Sequence, residues 1–187
     1  SEFNLSEEKL TELYNQYSYK ADGNILAETY SLPIGMKEDH MIFYLFSQTN
    51  KKYEEFSKKI FGNYDKRKWF NYLSLASVIQ KEAAITNEMP IVSSVIYNRL
   101  KKGMKLQMDG TLNYGEFSNT IVTADRIRDD NTTYNTYKFV GLPKDPVCAV
   151  SLEAIKAAIF PVKSDYLYFV RENKTGLHKF AVTFEAH

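Results

Sequence analysis

The sequence predicts an α+β fold in which a helical N-terminal half precedes long polar loops and a small antiparallel sheet. Three observations support this order. Apolar residues recur at helical spacing in three segments between residues 37 and 102. Residues 104–146 are polar and hold only short apolar runs. Residues 165–170 and 177–184 resemble strands and flank the turn sequence Glu-Asn-Lys-Thr-Gly, which is typical of a hairpin.

Each helix is bounded by residues that begin or end helices. Ser6 suits the N-cap of a short amphipathic helix, Pro90 suits a first turn, and Gly103 suits a C-terminal cap. Pro161 stops a short helix that follows Ser151. The predicted helices are residues 5–18, 37–61, 66–85, 90–102 and 151–160. Residues 25–35 are predicted to be extended or strand-like, and end at a Pro-Ile-Gly turn.

Composition excludes several classes of function. The chain of 187 residues is 44% hydrophobic, which suits one domain with an ordinary core. Its 24 basic and 23 acidic residues nearly balance, which argues against a dedicated nucleic-acid binder. The single cysteine, Cys148, allows no internal disulfide, and the sequence has no CxxC motif or His/Cys cluster that would suggest a structural metal. No segment is long and apolar enough to cross a bilayer.

Glu82 occupies an unusual position in the predicted helix 66–85. At about 100° per residue it falls on the apolar face. The other residues of that face are Leu75, Val78, Ile79 and Ile85. A buried carboxyl group is costly unless it is paired or protonated, and burial raises its pKa toward the range of a general acid. Two interpretations remain open: a catalytic acid, or a structural glutamate ion-paired with a neighbour such as Arg99.

The polar loops that follow offer candidate ligand-binding residues. Gln107, Asp109 and Thr111 alternate, so they share one side of an extended segment, and residues 133–143 combine tyrosine, asparagine and threonine before a Gly-Leu-Pro turn. Tyrosine has an apolar ring and a polar hydroxyl, which suits sugars. Both loops could equally satisfy their own hydrogen bonds. His178, in a predicted strand, is by itself more typical of a packed or surface histidine.

Six stretches, in order and at compatible spacing from residue 23 to the C-terminus, resemble the MltG (YceG-like) endolytic murein transglycosylase family. They are GNILAETYSLPIG, LASVIQKEA, SSVIYNRLKKGMKLQMDGTLNYG, YNTYKFVGLPKDPV, LEAIKAAIFPVKSDYLYFV and GLHKFAVTFEAH. The resemblance implies that Glu82, the second acid of a Glu-Lys-Glu stretch, is catalytic. Gln80 replaces the first acid, and Gly110 stands where the family usually has proline. The predicted substrate-binding residues are Gln107, Asp109, Thr111, Tyr114, Asn98, Tyr134, Asn135, Thr136, Tyr137 and His178.

The resemblance also implies a reaction. The family cleaves the MurNAc-GlcNAc bond of peptidoglycan and leaves a 1,6-anhydro-MurNAc end, with one carboxyl group as acid and then as base, and without metal or cofactor. This implies a role in cell wall assembly or glycan strand termination. Alternatives are a glycoside hydrolase that uses Glu82 and Asp109 as its carboxylate pair, and a non-catalytic glycan-binding module.

The expected setting is the bacterial inner membrane, with the catalytic domain in the periplasm and peptidoglycan glycan strands as substrate. Peptidoglycan synthases are the expected protein partners, and no binding to nucleic acid is expected. We expect a membrane anchor and most of a LysM-like region to lie outside this sequence. Residues 1–3 resemble a cloning remnant, residues 4–65 a segment flanking the catalytic core, and residues 66–187 the core itself.

Overall fold

The computed structural model describes residues 23–118 and 120–185. The predicted helix at residues 5–18 and the remnant at residues 1–3 lie outside them. The helices are α1 (Glu38–Phe61), α2 (Lys66–Glu82), α3 (Met89–Lys101), α4 (Asp109–Leu112), α5 (Ala124–Asp129) and α6 (Leu152–Ile159). The strands are β1 (Tyr168–Arg171) and β2 (His178–Ala181), and Thr86–Glu88 and Gly115–Phe117 form 3₁₀ turns. The α+β prediction is confirmed.

The ends of α2 matter most for the site. Asp65 caps its first turn and accepts hydrogen bonds from the backbone N–H groups of Arg67 and Lys68. Such a cap is worth about 1 kcal/mol. The helix ends at Glu82, and the chain then becomes extended at Ala83. The prediction that the helix reaches Ile85 is therefore wrong, and Ile85 is 45% exposed rather than part of the apolar face.

The core forms where α2 packs against α3, α4 and α6. Its members include fully buried side chains of α2, α3 and α6: Val78, Ile79, Val92, Ile96, Ala154, Ile155 and Ala158. The segment predicted to be extended, residues 25–35, makes one isolated parallel bridge, between Leu26 and Val150. It forms no named strand in the described chain, and this bridge joins it to the loop before α6.

The predicted hairpin is present, with strands shorter than the sequence suggests. β1 pairs antiparallel with β2, from Tyr168 opposite Ala181 to Arg171 opposite His178. The segment that leads into it is fixed to α3, because Asn98 donates to the carbonyl of Tyr166 (3.0 Å) and Arg99 donates to that of Leu167 (2.6 Å). The backbone N–H of His178 also donates to Glu88 (2.7 Å), in the turn between α2 and α3, so the hairpin is held beside the end of α2.

Within residues 23–118 and 120–185, no helix is long and apolar enough to cross a membrane.

Candidate active site

Glu82 is the last residue of α2, and its partly buried carboxyl group lines an open pocket of about 180 Å³. The backbone N–H of Gly110, in α4, donates to Oε1 of Glu82 (2.9 Å). The lining residues are Glu82, Arg99, Leu106, Gln107, Met108, Asp109, Tyr137 and Phe169. The described part of the chain holds no group of three or more His, Cys, Asp or Glu side chains that could bind a metal ion.

Burial raises the pKa of Glu82 to about 7. The hydrogen bond from Gly110 opposes this rise, the neighbouring carboxylate of Asp109 adds to it, and the charges of Arg99 and Lys81 oppose it. Burial is the largest effect because a carboxylate loses most of its hydration in such a setting. A carboxyl group with this pKa is protonated in a large fraction of molecules near neutral pH, which is the property that a general acid requires.

The nearest cations are held by backbone carbonyls. The guanidinium of Arg99 donates to the carbonyls of Leu167 (2.6 Å) and Leu106 (2.5 Å), and Nζ of Lys81 donates to the carbonyl of Asn113 (2.5 Å). The ion pairs of the described residues do not include Glu82. The structure therefore lacks the ion pair that a purely structural Glu82 was expected to form.

Three predicted ligand-binding residues lie beside Glu82. The Tyr137 hydroxyl donates to Oδ1 of Asp109 (2.5 Å), and burial together with this bond raises the pKa of Tyr137. Gln107 has φ 51°, which is uncommon for a residue with a side chain, and its N–H donates to the carbonyl of Thr136 (3.0 Å). The pocket thus combines one carboxyl group of raised pKa with several hydrogen-bonding side chains, an arrangement suited to a polar ligand.

A model of the YceG-like family matches residues 2–187. The chain belongs to the YceG-like family. An endolytic murein transglycosylase of Streptococcus pneumoniae strain D39 is 31% identical over 179 residues, 90% of this chain and 31% of that protein. An endolytic murein transglycosylase of Bacillus subtilis strain 168 is 34% identical over 145 residues, 76% of this chain and 39% of that protein.

A crystal structure of a yceG-like protein from Listeria monocytogenes superimposes with a TM-score of 0.78 at 29% identity. The superposition covers 97% of this chain and 63% of the Listeria chain. The chain spans about a third of the length of the curated relatives described above.

Three predicted ligand-binding residues of this YceG-like chain are buried behind the pocket. The Thr111 hydroxyl bonds the Met108 carbonyl (2.8 Å) and the Thr136 hydroxyl (2.9 Å). The Asn135 amide nitrogen donates to the carbonyls of Ile127 and Asp130, both at 2.8 Å. Its amide oxygen accepts from the N–H of residue 137 (3.1 Å). Because these side chains are at most 1% exposed, they support the pocket loops from within.

The remaining four candidates do not line this pocket. Asn98 fixes the segment before the hairpin, as described above. Tyr114 and Tyr134 stack with ring centroids 4.2 Å apart, and the hydroxyl of Tyr134 donates to Asp145 (3.1 Å). The imidazole of His178 lies 2.7 Å from Oε2 of Glu88. In this structure all four make contacts within the protein.

Glu88 and Gln80 are structural residues whose roles the sequence did not indicate. Glu88 accepts hydrogen bonds from the backbone N–H of His178 (2.7 Å) and of Ala84 (3.2 Å), besides its contact with the imidazole. It thereby joins the hairpin to the residues that follow α2. Gln80 accepts from the backbone N–H (3.1 Å) and hydroxyl (2.7 Å) of Ser151, at the start of α6. No local pattern predicts these contacts.

The sequence also gave Arg99 only as an ion-pair candidate. The structure instead places it in the pocket wall, with its guanidinium over the ring of Tyr168 at 5.3 Å from the centroid. No local pattern in the sequence indicates that the partners of Arg99 would be backbone carbonyls.

Proposed function

We propose that the protein is an endolytic peptidoglycan lytic transglycosylase that cleaves the MurNAc-GlcNAc bond and leaves a 1,6-anhydro-MurNAc end. The observation that carries this proposal is the carboxyl group of Glu82. It lies in an open pocket, has a pKa of about 7 and forms no ion pair with a described residue. Membership of a family whose relatives are named endolytic murein transglycosylases supports the same substrate.

In the proposed reaction Glu82 acts twice. It first donates its proton to the glycosidic oxygen as the bond between that oxygen and C1 of MurNAc breaks. The resulting carboxylate then accepts the proton of the 6-hydroxyl of the same sugar, whose oxygen forms a bond to C1. Glu82 ends in its starting protonation state, and no water molecule is consumed. A single residue with a pKa near 7 suits both halves of this cycle.

The other pocket residues would orient the sugar. Gln107 and Asp109 have exposed side chains at the pocket, and Tyr137 is tied to Asp109. We propose that these three contact the glycan directly, and that Thr111, Asn135 and Thr136 act by holding the two loops that carry them. All residues of the pocket wall fall within the proposed core, residues 66–187.

A glycoside hydrolase is the second candidate, because Asp109 lines the same pocket and could activate water. Product analysis separates the possibilities. Purified glycan strands are digested with the protein, and the new ends are identified by mass spectrometry. We expect anhydro ends, lighter by one water than reducing ends. Reducing ends, lost in Asp109→Asn, would establish the hydrolase, and binding without cleavage would establish a glycan-binding module.

We also propose a location and partners. Relatives that act on murein support an extracytoplasmic position, with the full-length protein anchored in the bacterial inner membrane and its catalytic domain in the periplasm. Peptidoglycan synthases are the proposed partners. Fractionation and crosslinking of the full-length protein in cells test both statements, and recovery in the cytoplasm would refute the first.

A further inference from the structure

The contact between α4 and the end of α2 depends on a glycine. Gly110 lies in the first turn of α4, where an N–H group has no acceptor inside the helix. This N–H instead donates to Oε1 of Glu82 (2.9 Å), across 28 positions of the chain. The bond therefore fixes one carboxyl oxygen with a rigid backbone donor rather than with a mobile side chain.

In this chain, at a position where the family usually has proline, the space at Gly110 is too small for any side chain. A Cβ atom there would lie 2.6 Å from Oε1 of Glu82 and 2.7 Å from Cβ of Lys81. Both distances are shorter than real Cβ contacts, and Cβ of Lys81 cannot move without moving α2. The φ angle of Gly110 is not in the left-handed region, so glycine is needed for close approach and not for backbone conformation.

The bond also distinguishes the two oxygens of Glu82. Because Oε1 accepts the N–H, the proton of the neutral acid belongs on Oε2, since the carbonyl oxygen of a carboxylic acid is the better acceptor. Within residues 23–118 and 120–185, the only hydrogen bond of the Glu82 carboxyl group is the one that Oε1 accepts from Gly110, so Oε2 has none. Oε2 is therefore the oxygen that can present a proton to a ligand.

We propose that Gly110 is a positioning residue for the acid: its N–H holds Oε1 of Glu82 so that the proton is carried by Oε2, and its missing side chain permits this approach. The inference rests on the proposed role of Glu82 as the acid. The same bond stabilises the carboxylate, which opposes the effect of burial on the pKa of Glu82. Removing the N–H should therefore raise this pKa further.

The decisive experiment replaces the amide at Gly110 by an ester, through incorporation of glycolic acid, which removes the N–H and adds no atoms beyond the backbone. The pKa of Glu82 is measured by ¹³C NMR titration of the labelled carboxyl carbon, assigned by its absence in Glu82→Gln. We expect the pKa to rise by about one pH unit. The alkaline limb of the rate profile should move by the same amount, and kcat should fall several-fold with little change in KM.

The matched control is the same ester at Gly103, whose N–H donates to the carbonyl of Leu100 (3.0 Å) away from the pocket. It should leave the Glu82 titration unchanged. A second variant, Gly110→Ala, keeps the N–H and adds the obstructing methyl group. It should lower both kcat and the melting temperature, and wild-type values of both would overturn the steric part of the proposal.

The titration needs no turnover, so it tests Gly110 independently of the proposed function. An unchanged Glu82 pKa in the Gly110 ester would overturn the positioning role even if the protein cleaves glycan strands. A wild-type protein that cleaves no glycan would refute the proposed reaction, while an upward shift in the ester would still establish the contact.

Discussion

Glu82 and Glu88 flank one turn of the chain, and their carboxyl groups behave in opposite ways. Burial dominates at Glu82, which has one hydrogen-bond donor, and raises its pKa to about 7. Burial would also raise the pKa of Glu88, but hydrogen bonds from His178 and from Ala84 outweigh it and hold that pKa below its usual range. The comparison shows that two factors separate the pKa values of these carboxyl groups: burial is the larger effect at Glu82, and more hydrogen-bond donors reach Glu88.

The largest effect is expected from Glu82→Gln, which keeps the shape of the side chain and removes its exchangeable proton. General acid catalysis contributes about 10²–10⁴-fold, so strand cleavage should fall at least 100-fold. Release of anhydro ends from purified glycan strands measures it, with circular dichroism to show that the variant is folded. Turnover near that of the wild type would remove Glu82 from the mechanism.

The same variant should change how stability depends on pH. The folded protein keeps the Glu82 proton up to a pKa of about 7, whereas the unfolded chain loses it near 4.5. The wild-type free energy of unfolding therefore loses about 2–3 kcal/mol as pH rises from 4.5 to 7, and Glu82→Gln does not. Thermal melts of both proteins across this range check the sign. A variant that loses stability relative to wild type on going from pH 4 to pH 7 would indicate a salt-bridged Glu82.

Glu88→Gln should show the reverse dependence. The new side-chain amide nitrogen is itself a donor, and it would face the donors of His178 or Ala84 without an acceptor between them. The free energy of unfolding at pH 7 should therefore fall by about 3 kcal/mol. The contribution of Glu88 is present above its unfolded pKa and is lost as pH falls through its lower folded pKa, so the loss should shrink in acid.

Urea unfolding at pH 7 and in acid measures this difference. The matched control is Glu172→Gln on the same hairpin, where a partly exposed carboxylate pairs with the exposed Lys179, and its melting temperature should stay close to that of the wild type. Equal destabilisation by the two variants would mean that the contacts of Glu88 have no special structural importance.

Asn135→Ala extends the comparison to an uncharged support of the pocket. The sequence analysis predicted Asn135 to be a substrate-binding residue, and alanine at a direct ligand contact would weaken turnover with little loss of stability. Because Asn135 is fully buried and donates to two backbone carbonyls, we instead expect the free energy of unfolding to fall by about 2 kcal/mol. A melting temperature equal to that of the wild type would favour the earlier prediction of a direct ligand contact.

The smallest effect is expected from Tyr137→Phe, which removes only the hydrogen bond to Asp109 at the pocket. The acceptor is a carboxylate and the bond is exposed to water, so its loss should cost about 1.5 kcal/mol and lower turnover about tenfold with an unchanged melting temperature. Steady-state rates at several pH values measure it. A large fall in stability would place Tyr137 with Asn135, among the supports of the loop.

Local sequence patterns predicted much of the secondary structure of this protein. Helical spacing and helix-ending residues predicted α1, α2, α3, α6 and the hairpin to within a few residues, because caps and periodicity act over neighbouring positions. The position of Glu82 at the apolar end of α2 followed from the same pattern. The resemblance then pointed to the loops that hold Gln107, Asp109 and Tyr137.

Only the tertiary structure decided which polar groups became partners. The bond from Gly110 to Glu82 joins residues 28 positions apart, and the bond from His178 to Glu88 joins residues 90 apart. Periodicity carries no information over such separations, so Asn135 and an exposed loop residue look alike in the sequence. The local sequence determined where each carboxyl group lies along the chain, and long-range packing determined how deeply it is buried and how many donors reach it, and hence its pKa.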